Sequence, residues 1–177
     1  MLITETHKDV PTKAGGDMRI FIFHPTVPNY PKAKFPGVVV FSEIYQVTGP
    51  VARFARQIAS QGYIVAAPSS YHEFTGPEAL AYDGPGTDKG NEWKITKTVE
   101  AYDEDATLSV DTLLDMPTCN GRVGATDAFI RDELSKGRYD AALSGICFEM
   151  LKELFNRTLR SDLGPRSGGD VEIEDVC

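Results

Sequence analysis

Between Gly37 and Pro68 the sequence spells strand, helix, strand, and this unit constrains the fold more than any other feature. Gly37-Val38-Val39-Val40-Phe41 is a continuous apolar run rich in β-branched residues. Such a run suits a strand covered on both faces. The spacing of Val51, Phe54, Ala55, Ile58 and Ala59 predicts a helix from Pro50 to Gln61. Pro50 near its start and Gly62 just past its end are consistent punctuation. Tyr63-Ile64-Val65-Ala66-Ala67 is the second strand, stopped by Pro68. With joints this short the unit is βαβ, so the two strands run parallel with a right-handed crossover.

The flanking sequence extends this core. Met18 to Phe23 alternates as a strand after the turn signal Gly15-Gly16-Asp17. Pro25, Pro28, Pro31 and Pro36 mark a loop. Residues 69–93, with Gly76-Pro77, Gly84-Pro85-Gly86 and Gly90, read as one long loop. A helix is predicted over 99–116, with Leu108, Leu113 and Leu114 inward and its acids outward. Gly121 to Thr126 reads as a further short strand, and 139–159 as a last helix with the apolar stripe Leu143, Ile146, Cys147, Met150, Leu151, Leu154 and Phe155. The class is α/β, with a mostly parallel sheet flanked by helices. Residues 1–160 form a single domain and 161–177 an acidic, flexible tail.

Composition removes several classes of function. A chain of 177 residues can bury a core without disulfides or metals. Its net charge of −8 is concentrated in Glu100, Asp103, Glu104, Asp105, Asp111 and Asp115, and in Asp162, Asp170, Glu172, Glu174 and Asp175. Nucleic acid wants a basic face and is not an expected partner. No apolar run reaches the ~20 residues of a membrane span. The first ten residues lack an apolar leader, so the expected location is cytoplasmic. Cys119, Cys147 and Cys177 are far apart, with no zinc spacing, and suit a reducing compartment.

Ligands of open parallel sheets bind beyond the carboxyl ends of the strands. Ser42-Glu43-Ile44-Tyr45, Ser69-Ser70-Tyr71-His72-Glu73 and Asp127 stand there. Glu43 is the sharpest candidate, as an acid or base, as a ligand, or as the cap of a backbone turn. His72 reads as a surface histidine unless a partner turns it into a general base. His24, before Pro25, carries little weight. Cys147 on the apolar stripe reads as packing, and Cys119 as a turn residue with nothing nearby to activate its thiol. Neither Gly-x-Ser-x-Gly nor its cysteine equivalent is present, nor a dinucleotide or phosphate loop. A flavodoxin-like binding domain would need an anion loop where Glu43 places an acid.

Three stretches nevertheless resemble the dienelactone hydrolase family. They are Val39-Val40-Phe41-Ser42-Glu43-Ile44-Tyr45, Ala67-Pro68-Ser69-Ser70-Tyr71-His72-Glu73-Phe74 and Cys119-Asn120-Gly121-Arg122-Val123-Gly124-Ala125-Thr126. A fourth, Ala128-Phe129-Ile130-Arg131-Asp132-Glu133 through Tyr139-Asp140, resembles a part of the family that lies near the C-terminus. The resemblance implies an α/β-hydrolase fold and hydrolysis of small esters or lactones through a Cys-His-Asp triad, with no cofactor. It implies that Glu43 holds the resting thiol, that the Ile44 N–H is half of the oxyanion hole, and that Tyr71 and Arg131 contact substrate. A second substrate-binding arginine of the family is Glu73 here.

Between the third and fourth stretches the family continues into its nucleophile turn, whereas this chain passes from Thr126 to Asp127. The resemblance therefore implies an incomplete α/β-hydrolase fold, without the nucleophile, the triad acid and histidine, or the strands that follow. Asp127 occupies the histidine's place. The strand at 122–126 becomes an exposed edge open to self-association, and the last helix loses part of its packing surface. Residual catalysis without a triad depends on an intact oxyanion hole, so the chain is expected to be inactive.

Overall fold

The computed structural model describes residues 1–13, 15–128 and 140–165. Five strands, β1 (Leu2–Pro11), β2 (Asp17–Thr26), β3 (Phe35–Phe41), β4 (Ile64–Pro68) and β5 (Cys119–Asp127), form one open sheet in the order β1-β2-β4-β3-β5. Four helices accompany it: α1 (Gly49–Ala59), α2 (Gly84–Thr96), α3 (Val99–Leu114) and α4 (Ala141–Thr158).

The βαβ unit forms as the sequence predicts. β3 and β4 are parallel, with Val38 opposite Val65, and β5 joins β3 in parallel on its other side. β1 and β2 are antiparallel, and β2 also runs antiparallel to β4. The class is α/β as expected, with a mixed sheet. β1 has no counterpart in the sequence reading, because its residues are largely polar on both faces and carry no period-2 signal. Ten-residue pairing with β2 forms it. The hairpin turn is possible because Gly15 and Gly16 adopt φ of 112° and 76°.

Alternation along the strands divides the core. Val38, Val40, Val65 and Ala67 face α1 and α4, meeting Val51, Phe54, Ala55, Ile58, Phe155 and Leu159. Met18, Ile20, Ile22, Val39, Ile64 and Ala66 face the other way, onto Phe35 and Leu113. Six of the seven residues of β3 are buried, as a doubly covered strand requires.

Several expectations are corrected. The supposed loop at 69–93 contains most of α2, whose Gly86 and Gly90 sit on its packed side. Asp83 starts this helix by accepting a hydrogen bond from the Gly86 N–H at 2.7 Å. On α3, Asp105 points inward and Leu114 outward, because the buried side is the Ala101, Asp105, Ser109, Thr112 and Leu113 line. Cys119 is buried at the start of β5. On α4 only part of the stripe is covered: Leu143, Ile146, Met150 and Leu154 are exposed. Beyond α4, Lys34 and Asp162 exchange backbone hydrogen bonds, and Ser161 Oγ donates to Gly62 O at 3.0 Å. Residues 166–177 of the expected tail lie outside the described residues.

Candidate functional site

The parallel register brings three strand ends together. Val39 lies opposite both Ala66 of β4 and Ala125 of β5, and Phe41 opposite Asp127. Glu43 and Ile44 therefore leave β3 beside the Ser69–Glu73 segment that leaves β4. Asp127, at the end of β5, closes the group.

Gln46 fixes the geometry of this end of the sheet. It is fully buried, and its backbone is left-handed at φ 62°. Its N–H donates to Glu43 O at 3.2 Å, which closes the turn carrying Glu43 and Ile44. Its side-chain Nε2 donates to Gly76 O and Glu78 O at 3.0 and 2.9 Å, and its Oε1 accepts from the Tyr71 N–H at 3.3 Å. One amide thus ties the β3 loop to the β4 loop. Sequence reasoning missed it, since a glutamine in a loop gives no signal until its partners are placed.

α2 lies across the same loops. Gly90 packs against Ile44, where a side chain would collide with the Ile44 carbonyl and stand 3.0 Å from its Cβ. Tyr45 stacks obliquely on Tyr82, and its hydroxyl lies 2.9 Å from Thr87 Oγ1. Trp93 packs its ring on Tyr71 and on Phe74, with centroids 5.6 and 6.2 Å away. Burial, with the Tyr102 hydroxyl beside it, pushes the Tyr71 phenol well above its ordinary range. Tyr71 is therefore a neutral, buried ring at physiological pH.

Beneath these loops lies a charged cluster that the sequence did not disclose. His72 Nε2 is 2.9 Å from Asp105 Oδ1, and His72 Nδ1 is 3.0 Å from Gly15 O. Lys97 Nζ pairs with Glu73 and lies 2.9 Å from Asp105 Oδ2. All four side chains are buried to nine-tenths or nearly so. Both partners of the imidazole are acceptors, so both ring nitrogens carry protons and the quartet is neutral as a whole. Burial pulls the His72 pKa down, but the Asp105 hydrogen bond and charge, with the Glu73 charge, outweigh it against Lys97, and the net shift is upward. The surface reading of His72 is thus wrong. The available clue was the spacing of Ala101, Asp105 and Ser109, which puts Asp105 in line with small inward residues on α3.

The other candidates fall elsewhere. Arg131 lies outside the described residues. Cys119 pairs with Phe35 at the opposite end of β3, roughly 20 Å from Phe41, the last strand residue before Glu43, at ~3.3 Å per strand residue. His24 Nε2 is 2.7 Å from Thr118 Oγ1 at that same far end, and burial lowers its pKa. Cys147 is half-buried on the α1-facing side of α4. The described residues contain no group of three or more His, Cys, Asp or Glu side chains arranged to hold a metal ion. No helix among them is long and apolar enough to cross a membrane.

In an α/β sheet of this kind the candidate site lies beyond the carboxyl ends of the parallel strands, where the Glu43-Ile44 turn stands. The model of the dienelactone hydrolase family matches residues 19–127. A Saccharomyces cerevisiae protein described as "Putative carboxymethylenebutenolidase" is 36% identical over 273 aligned residues, which cover all of both chains. That aligned length exceeds the 177 residues of this chain. The chain belongs to the dienelactone hydrolase family.

Two solved structures share the fold. A "Putative Dienelactone Hydrolase" of Klebsiella pneumoniae superposes with a TM-score of 0.55 at 20% identity, covering 72% of this chain and 50% of its own. A dienelactone hydrolase-like promiscuous phosphotriesterase from metagenomic libraries gives 0.53 at 17%, covering 71% and 48%. The chain spans about half the length of these structures.

Proposed function

We propose that this chain keeps the binding half of a dienelactone hydrolase site without the groups that turn substrate over. The reaction implied by the family is attack of a thiolate on an ester or lactone carbonyl, giving an acyl-enzyme that water then cleaves. That chemistry needs a thiol, a histidine and an acid in one place. The single observation that carries the reading is the placement of the histidines. The chain has three. His7 is exposed on β1, His24 is held at Thr118 at the wrong end of the sheet, and His72 donates from both ring nitrogens. An imidazole with both nitrogens protonated has no lone pair to take a proton from a nucleophile.

Two further observations support it. The family match stops at Asp127, where the resemblance expects the nucleophile turn to begin. The alignment with the yeast relative runs well beyond this chain's own length while covering both of its ends, as an internal loss of sequence would produce. What remains is a turn that presents Glu43 and the Ile44 N–H beside the aromatic wall of Tyr71. With Arg131, these could hold the carbonyl or carboxylate of a small ester or lactone.

The test is steady-state hydrolysis of a nitrophenyl acetate by the purified chain, beside Cys119→Ala and Cys147→Ala. The expected rate equals that of buffer for all three. Saturable, thiol-dependent turnover by the parent chain would overturn the proposal.

A further inference from the structure

α4 packs on the protein with one side only. Phe148 meets Phe54 of α1, with ring centroids 6.1 Å apart. Phe155 packs on Tyr63 at 5.4 Å and lies over Gly124 of β5. At 100° per residue, Phe148 and Phe155 fall within about 20° of each other around the helix. Leu143, Ile146, Met150 and Leu154 lie within an arc of about 80° on the opposite side. These four are 44% to 64% exposed. They form an apolar ridge turned away from the body of the protein, along most of the helix. Glu149 and Lys152 pair with each other at 2.7 Å outside this arc, and Arg157 continues the ridge at its C-terminal end.

We infer that this ridge pairs with the α4 ridge of a second copy of the chain, helix against helix and antiparallel, about a twofold axis that crosses both helices at mid-length. The sequence of α4 is complementary to itself in this arrangement. With Leu143 set against the partner's Leu154, Ile146 meets the partner's Leu151 and Met150 meets the partner's Cys147, so apolar faces apolar throughout. Charge specifies both the occupant and the direction. The same register brings Asp140, the N-cap of α4, to the partner's Arg157, and the twofold axis makes that pair twice. Glu153, at the border of the ridge, meets the partner's Ser144. A parallel pairing would set Asp140 on Asp140 and Arg157 on Arg157, and would align the two helix dipoles rather than oppose them. The contact is isologous and closes at two copies. The four ridge side chains offer on the order of 400 Å² per copy, and their apolar borders raise the total over both copies to about 1,000 Å², the lower bound of specific interfaces. The dimer is therefore weak and reversible. The inference stands apart from the proposed loss of catalysis, because it uses neither Glu43 nor His72.

Sedimentation equilibrium of the whole chain, from micromolar to hundreds of micromolar, tests it, with circular dichroism as the check on folding. The parent is expected to show a monomer–dimer equilibrium, and Met150→Glu to stay monomeric with an unchanged spectrum. Arg157→Glu and Asp140→Lys each set two like-charged pairs in the contact. Each alone should dimerise about tenfold more weakly than the parent. Their equal mixture restores both opposite-charge pairs, and should recover most of the parent's affinity as a heterodimer. Recovery on mixing separates charge pairing from misfolding, since misfolded chains would not regain affinity. A parent that is monomeric, unfolded or open-ended in assembly overturns the inference. So does a Met150→Glu chain that dimerises like the parent, or a mixture that associates no more tightly than either variant alone.

Discussion

Replacing His72 by alanine probes the cluster beneath the site. The substitution removes a charge-assisted hydrogen bond to Asp105 and a second bond to Gly15 O. The first is worth about 1.5–3 kcal/mol and the second about 1 kcal/mol in a buried setting. The His72 side chain is only 2% exposed, so screening by water does not discount these values. With a modest cavity added, the expected loss at low pH is about 3–5 kcal/mol. That is a large part of the ~5–15 kcal/mol that holds a typical domain. Because the folded pKa of His72 is raised above 6.5, its contribution is fully present below about pH 6.5 and fades as pH rises through the folded value. Urea unfolding followed by the fluorescence of Trp93, the single tryptophan, at fixed protein concentration is the assay. At ~2 kcal/mol/M, the midpoint should fall by about 1.5–2.5 M at pH 5.5, and the gap between the two proteins should narrow toward pH 9. A gap that is pH-independent, that widens with pH, or that stays below about 1 kcal/mol at pH 5.5 would refute the doubly protonated imidazole.

Other substitutions probe the loops and the surface. Gln46→Ala leaves Gly76 O, Glu78 O and the Tyr71 N–H without their partner, and should cost about 2–4 kcal/mol by the same unfolding assay. Gly90→Ala gains ~1 kcal/mol of helix propensity but drives a methyl into Ile44, so a net loss of about 1–2 kcal/mol is expected. The His24 pKa is lowered by burial, so His24 destabilises the fold as pH falls below about 6.5; His24→Gln should therefore flatten the acid limb of the stability profile. Glu5→Ala breaks the pair with Arg56 at 2.5 Å, but both side chains are nearly half exposed; the loss should stay below ~1 kcal/mol and vanish in high salt.

Elements whose burial is dictated by their own residues were legible in the sequence. β3, β4 and α1 carry uniform or periodic apolar patterns, and the structure forms all three within two residues of the predicted bounds. α2 was hidden because Gly86 and Gly90 look like breakers in sequence and act as contact points in the fold. Glu43, Ile44 and Tyr71 were placed correctly at the strand ends, since the βαβ rule alone puts them there. Gln46, Glu73, Lys97 and the true state of His72 were not legible. Each gains its role from a partner 24 to 57 residues away, and no local pattern encodes such a pairing.

By itself, then, the sequence determined the βαβ core and the family, and it pointed to the strand ends as the candidate site. Hydrophobic periodicity and short joints are local properties, and they survive whatever the rest of the chain does. Only the tertiary structure decided the mixed sheet, the buried charged quartet and which part of the α4 stripe is covered. Those depend on which segments lie side by side. The same acidic residue can be a solvated surface charge, like Asp103, or the buried partner of a histidine, like Asp105, according to a turn of 200° around one helix.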